Sequence, residues 1–239
     1  MAQKIIDVIG VGPVTLQKRK GSKSLRLSIT SGGNVKVSIP SWTPYHAAEA
    51  FVLSKIAWIN KQQASSKIVP FVHGDRVGKH HRVEFRIANV AKPAGRITKT
   101  AIVVTLPPDM LATDKAAQSC LSKAAIRALK QESSHLLPQR LDILATQHGF
   151  TYNSLAIKQL KARWGSCSSK KDIALNCYLM QLPWELIDYV LLHELVHTKI
   201  MAHGNPFWTE LGEYVTNLPL KRKEIRGYQP ILLPQDRTT

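Results

Sequence analysis

The chain has 239 residues, 44% of them hydrophobic, and carries 33 Lys and Arg against 16 Asp and Glu, a formal net charge of +17. This is enough apolar material for one core or two small ones, while no apolar run approaches the ~20 residues that cross a bilayer. Three cysteines, Cys120, Cys167 and Cys177, are too few for a disulfide framework. With an N-terminus that lacks a signal-peptide apolar region, they predict a cytoplasmic protein.

The charge is uneven. Residues 1–100 hold 17 basic and 4 acidic side chains, a net of +13, and residues 101–239 hold 16 and 12, a net of +4. The excess in the first half points to contact with a polyanion, either nucleic acid or nucleotide. No internal repeat is visible. Leu25, Leu27 and Ile29 alternate with polar residues, Ser31-Gly32-Gly33-Asn34 turns the chain, and Val35, Val37 and Ile39 alternate again. Period two on both sides of a Gly-Gly turn predicts a hairpin. A helix is expected next, with Thr43 as N-cap and Pro44 in its first turn. Phe51 and Trp58 fall seven apart on its apolar face, beside Val52, Ile56 and Ile59. Val83, Phe85 and Ile87 predict a strand, Ile102 to Leu106 another, and Pro107-Pro108 closes the region. His80 and His81, adjacent on a strand or turn, point to opposite faces and suit solvent or a phosphate better than a shared metal.

The second half opens on a helical stripe, Ala117, Leu121, Ala124 and Ala128, capped by Thr113 and interrupted at Pro138, with a second piece running to Gly149. Leu155–Ile157 and Ile173–Leu175 read as strands. Pro183 opens a helix with Glu185 in its first turn, where the dipole favours a carboxylate. Gly204 stops that helix or its extension, and Asn205 caps another with Phe207, Leu211, Tyr214 and Leu218 inward. The expected organisation is α+β. A smaller β-rich basic module covers residues 1–108, and a helical catalytic domain with a short sheet covers 109–239.

Within the second half stands His193-Glu194-Leu195-Val196-His197, followed by His203. Residues four apart on a helix differ by about 40° in direction, so the imidazoles of His193 and His197 converge. Neutral imidazole suits zinc, and one ion per chain is expected. Glu194, about 100° round the helix, is placed to serve as base toward a water on the metal rather than as a ligand. His203 is the favoured third ligand, with Gly204 letting the chain turn it back. Glu213 and then Glu210 are the alternatives. The spacing from His193 to His203 matches that of metzincins, but Ile200 stands where that class has Gly. Cys167, as a fourth ligand, would close the site and make the metal structural. The motif's leading expectation is a zinc-dependent hydrolase whose activated water attacks a carbonyl group. Water activated at such a site also attacks phosphorus, so hydrolysis of nucleotide phosphoanhydrides is a second reading. A nucleic-acid-binding module with a structural zinc is a third, and the glutamate beside the metal argues against it.

Several stretches together resemble the YgjP-type family of predicted metal-dependent hydrolases and metallopeptidases, which is distantly similar to the SprT/Spartan proteases. They are Arg163-Trp164-Gly165-Ser166-Cys167-Ser168, Ile173-Ala174-Leu175-Asn176, Ile187-Asp188-Tyr189-Val190, the His193–His197 run, His203 and Phe207-Trp208. The resemblance implies a zincin-like catalytic half behind a β-rich N-terminal part, zinc at His193, His197 and His203, and Glu194 as base. It narrows the expected hydrolase to a peptidase. Cys177-Tyr178 departs from the Trp-Arg expected there, and Gly204 from the usual Ser. The first departure bears on the substrate side of the cleft. An edge strand made by the Arg163–Ser168 segment or by 173–176 is expected to bind an extended peptide. Arg163, Trp164 and Asn176 are the candidate substrate-binding residues, with Arg163 serving either an oxyanion or an ion pair.

Overall fold

Leu27 and Ile29 lie opposite Val37 and Val35, as the alternation requires. The computed structural model describes residues 3–29, 34–65 and 69–235, apart from the side chains of 61–65. In it β3 (Arg26–Ile29) and β4 (Val35–Pro40) form the expected antiparallel pair. The Ser31-Gly32-Gly33 turn lies outside the described residues. Two earlier strands, β1 (Gln3–Val8) and β2 (Gly12–Arg19), complete a sheet of order β1-β2-β4-β3, in which β2 and β4 run parallel. Its inner face, Val14, Leu16, Val35, Val37 and Ile39, buries against Ala48, Val52 and Ile59.

Those last three residues belong to two helices, not one: α1 (Tyr45–Leu53) and α2 (Ile56–Ser65). Pro44, with extended backbone, holds the capping position expected of Thr43, whose hydroxyl is buried and unpartnered. The helix stops where the Ser54 hydroxyl hydrogen-bonds the Phe51 carbonyl at 2.8 Å, a local competition with helical bonding. After the break Ile59 faces inward, while Trp58 is 46% exposed.

A second sheet comprises β5 (Arg76–Val77), β6 (His81–Ile87), β7 (Ala94–Ile97) and β8 (Ala101–Leu106), in the order β5-β6-β8-β7. Its strand order and directions repeat those of the first sheet, β6 and β8 being the parallel pair. Val83, Ile102, Val104 and Leu106 share one core with α3 (Lys115–His148). For this reason the chain divides into compact units at Met1–Val69 and Pro70–Thr239, earlier than the boundary at 108 that composition suggested. Each unit has a core of its own residues.

Pro138 does not end a helix. It lies inside a continuous 34-residue α3 that runs from an Asp114 N-cap to Gly149, whose φ of 67° closes it in the left-handed conformation. A proline within a helix costs about 3 kcal/mol. Burial of Leu137 and Leu141 on either side returns about 1.5–3 kcal/mol each. Glu132 anchors the same helix to the second sheet. Its carboxylate accepts the Lys79 and His80 amide N–H groups at 2.7 and 3.0 Å and the His81 Nδ1–H at 2.5 Å. Burial raises this carboxyl, but the His81 hydrogen bond and the two amides outweigh it and hold it below the usual range. His81 is therefore an internal partner, not a solvent- or phosphate-facing group. Gly78, at φ 68°, is required there, because a Cβ would lie 2.2 Å from Glu132 Oε2.

The third sheet is β9 (Ser154–Lys158), β10 (Gly165–Cys167) and β11 (Asp172–Asn176), in the order β10-β11-β9, with β10 antiparallel at one edge. A 3-10 turn at Cys177–Gln181 leads to α4 (Trp184–Val196), α5 (Asn205–Tyr214) and α6 (Leu218–Ile225). Gly204 rather than Asn205 takes the α5 capping position. The fold is α+β. All three cysteines are free thiols, and no helix among the described residues is long and apolar enough to cross a membrane.

Candidate metal centre

Leu186, Ile187, Val190, Leu191, Leu195 and Val196 are buried on nearly every side of α4, so the helix runs through the core and not along its surface. Pro183 precedes its first turn, Glu185 sits in that turn, and His197 is its C-cap. Past His197 the Thr198 hydroxyl bonds back to the Leu195 carbonyl at 2.7 Å, and the chain loops to return His203. The Nε2 atoms of His193, His197 and His203 then lie 3.1–3.2 Å from one another. Phe207, fully buried, is the platform beneath them, its ring centroid 4.8, 4.5 and 4.8 Å from the three imidazoles in that order.

The donor set fits a zinc ion. Bonds of about 2.0–2.1 Å in tetrahedral geometry place ligand nitrogens about 3.3–3.4 Å apart, close to the observed triangle. The His197 Nδ1–H donates to the Ile200 carbonyl at 3.0 Å, which turns the Nε2 lone pair toward the other two rings. Burial, then the neighbouring imidazoles, pushes His193 down to about 3; burial also lowers His197, against the Ile200 carbonyl. Both shifts favour the neutral imidazole that ligates a metal. Among the described residues these three histidines form the one such cluster. Glu210 is instead paired with Lys199 at 3.0 Å, and Glu213 is exposed on α5. Cys167 lines the same cavity but is not part of the cluster. Burial and then Glu194 push its thiol up to about 11, away from the thiolate a metal binds.

Glu194 is 4% exposed, and its Oε2 has no hydrogen-bond partner among the described residues. Burial pushes its carboxyl up to about 8, with the Arg163 guanidinium pulling against it. It shares with the three histidines a cavity of about 240 Å³ that Arg163, Gly165, Ser166, Cys167 and Met201 also line. Gly165 admits Glu194: a Cβ there would lie 2.6 Å from Glu194 Oε1. This contact joins the edge strand to the metal helix, and only the pairing of Gly with a residue far along the chain would have signalled it.

The other candidates separate. Arg163 is exposed at the cavity. Trp164 packs against the core and lines neither cavity beside β10. Asn176 is fully buried and faces backbone. Its Nδ2 donates to the carbonyls of Leu160 and Arg163, both at 2.8 Å, and its Oδ1 accepts the Tyr178 N–H. It thus fixes the loop that carries Arg163. Cys177 and Tyr178, the departures expected to face substrate, are both buried. The free edge is β10 and not 173–176, since β11 is the middle strand. Trp208 acts through the third histidine: its Nε1–H donates to the His203 carbonyl at 3.0 Å, and the Arg222 guanidinium lies 3.6 Å over its ring.

A model of the YgjP-like metallopeptidase domain matches residues 23–227. The uncharacterized protein MJ0123 of Methanocaldococcus jannaschii is 34% identical over 83 residues, which is 33% of this chain and 76% of that protein. Two crystal structures of metallopeptidase zymogens are similar in part. Abylysin of Pyrococcus abyssi is 26% identical with a TM-score of 0.34, covering 38% of this chain and 90% of that one. Jannalysin of Methanocaldococcus jannaschii is 28% identical with a TM-score of 0.33, covering 37% and 90%.

Proposed function

This chain belongs to the YgjP-like metallopeptidase family, and from that membership we propose that it is a zinc-dependent peptidase with Glu194 as its general base. The observation that carries the reading is the convergence of the three histidine Nε2 atoms, 3.1–3.2 Å apart, beside a buried and unpartnered carboxylate. His193, His197 and His203 would hold the ion. Bound there, zinc polarises the scissile carbonyl and acidifies the attacking water.

The chain's own groups do the rest. The His197 tautomer is set by Ile200, so its Nε2 stays a ligand. Glu194, buried beside the three histidines with its Oε2 unpartnered among the described residues, is placed to take a proton from the attacking water and to pass it to the leaving amine. The free edge of β10 is suited to pair with an extended substrate backbone, and Arg163 stands beside it. The basic first unit is read as the surface that meets a polyanion.

The test is a Glu194→Gln variant beside His197→Ala. The first is expected to keep about one zinc per chain and to lose turnover of unfolded protein by about 10²–10⁴-fold. The second is expected to lose the metal, as zinc analysis would report. Full activity in Glu194→Gln, or hydrolysis of nucleoside triphosphates in place of peptides, would sink the proposal.

A further inference from the structure

Beside the metal cavity lies a second one of about 380 Å³, lined by Ser154, Ala156 and Lys158 of β9, Ser166 and Cys167 of β10, Asp172 and Ala174 of β11, and Arg163. The two cavities share Arg163, Ser166 and Cys167 and adjoin at the edge strand β10, the metal cavity on the face of Gly165 and the second on the face of Ser166. The floor of the second is the sheet face turned away from Ile173 and Leu175, where Ala156, Ala174 and Ser166 lie side by side in register. These small residues leave room above them for a substrate side chain.

The rim is cationic. Lys158 stands at one end, and Arg163 overhangs the face on the loop that Asn176 holds. Neither side chain makes a hydrogen bond or a close ion pair among the described residues, and both are exposed. Asp172, the acid in this lining, accepts from the Ser154 hydroxyl and Asn153 Nδ2 at its Oδ1, both at 2.7 Å, and from the Ser168 hydroxyl at Oδ2 at 3.2 Å. These neutral donors hold it ionised, below the usual carboxyl range, so it offsets one of the two cations and leaves the lining net positive. The segment from 158 to 171 adds Lys161, Lys170 and Lys171 and contains no acid. Ile173 also borders the cavity, but it is buried and its register places its side chain on the other face; no aromatic residue lines the cavity, so it offers little to a large apolar group. It offers charge to an anionic one.

We propose that this cavity is a substrate subsite that selects an acidic side chain close to the scissile bond, with Lys158 and Arg163 as its recognition groups. The inference rests on the peptidase reading above and names its substrate class.

The experiment is cleavage of a defined mixture of synthetic peptides by the zinc-loaded full chain, with cut sites read by mass spectrometry. Asp and Glu are expected to be enriched roughly fivefold at one position near the cut, the worth of one partly exposed charge pair. In Lys158→Glu the ratio of acidic to basic residues at that position is expected to invert, and in Arg163→Gln to fall. Cleavage with no acidic preference, or an unchanged ratio in Lys158→Glu, overturns the subsite and leaves the peptidase reading intact. If no peptide is cut by the zinc-loaded chain, the peptidase reading fails and the subsite falls with it.

Discussion

A single methyl group at position 165 would reach into the carboxylate of Glu194. Gly165 has no left-handed backbone to justify it; its role is the 2.6 Å that a Cβ would leave to Glu194 Oε1. Gly165→Ala is therefore expected to displace Glu194, the proposed base, without touching the histidines. Misplacement by about 1 Å at a reacting group costs on the order of 10²-fold. Peptide turnover should fall by about that factor while zinc content, measured by atomic absorption, stays near one per chain. Unchanged turnover would show that the strand yields. At this scale the sequence was legible where chemistry is local. His193, Glu194 and His197 fall into place from helical periodicity alone, and His203 needs one short loop. Gly165, Lys158 and Asn176 act across chain segments that only the third sheet brings together. Asn176, expected at the substrate, instead holds backbone.

Elements were legible in proportion to how locally they are encoded. The β3–β4 hairpin and the α4 helix follow from alternation and from Pro183 with Glu185. By contrast β1 and β7, though paired with the next strand in the chain, mix polar and apolar residues on at least one face, β2 has its parallel partner β4 beyond an intervening strand, and α3 passes through Pro138 because its core contacts outweigh one lost hydrogen bond. Among the later elements, α5 and α6 bear on the metal centre through Trp208. Its indole N–H holds the carbonyl of His203, the one candidate ligand outside a helix and its cap, and Arg222 of α6 seats the indole from above. Trp208→Phe keeps an aromatic surface and removes the donor. Loss of such an outer partner commonly weakens metal affinity by about 10–100-fold. Zinc affinity measured by competition with a chromogenic chelator should fall at least about tenfold, with the melting temperature of the metal-free protein little changed. Equal affinity in the two proteins would reduce Trp208 to packing.

The whole molecule is two cores with unequal charge. Residues 1–69 hold 10 basic and 2 acidic side chains, and the face of the first sheet opposite its core carries Arg26 and Lys36. If this unit meets a polyanion through its charge, binding of a labelled oligonucleotide should weaken more than tenfold between about 50 and 200 mM salt. Reversing Arg26 and Lys36 to Glu should abolish it. Binding indifferent to salt would contradict the electrostatic role. Charge counting could locate this asymmetry but not the boundary at Val69, because the second sheet looks like the first in composition and differs only in sharing a core with α3.

The shared strand order has a further consequence, for the order of events in folding. β4 follows β3 in the chain yet lies between β2 and β3, and β8 lies between β6 and β7. In each four-stranded sheet the last strand synthesised is the one that joins the strand before it to the earlier hairpin. Until Pro40 and then Leu106 have left the ribosome, β2 and β6 each present an open hydrogen-bonding edge with no neighbour on that side. Nascent chains halted just before either strand are thus the forms most exposed to aggregation and most in need of a chaperone. The parallel pairing that unites the two hairpins of each four-stranded sheet is thus a late step in synthesis.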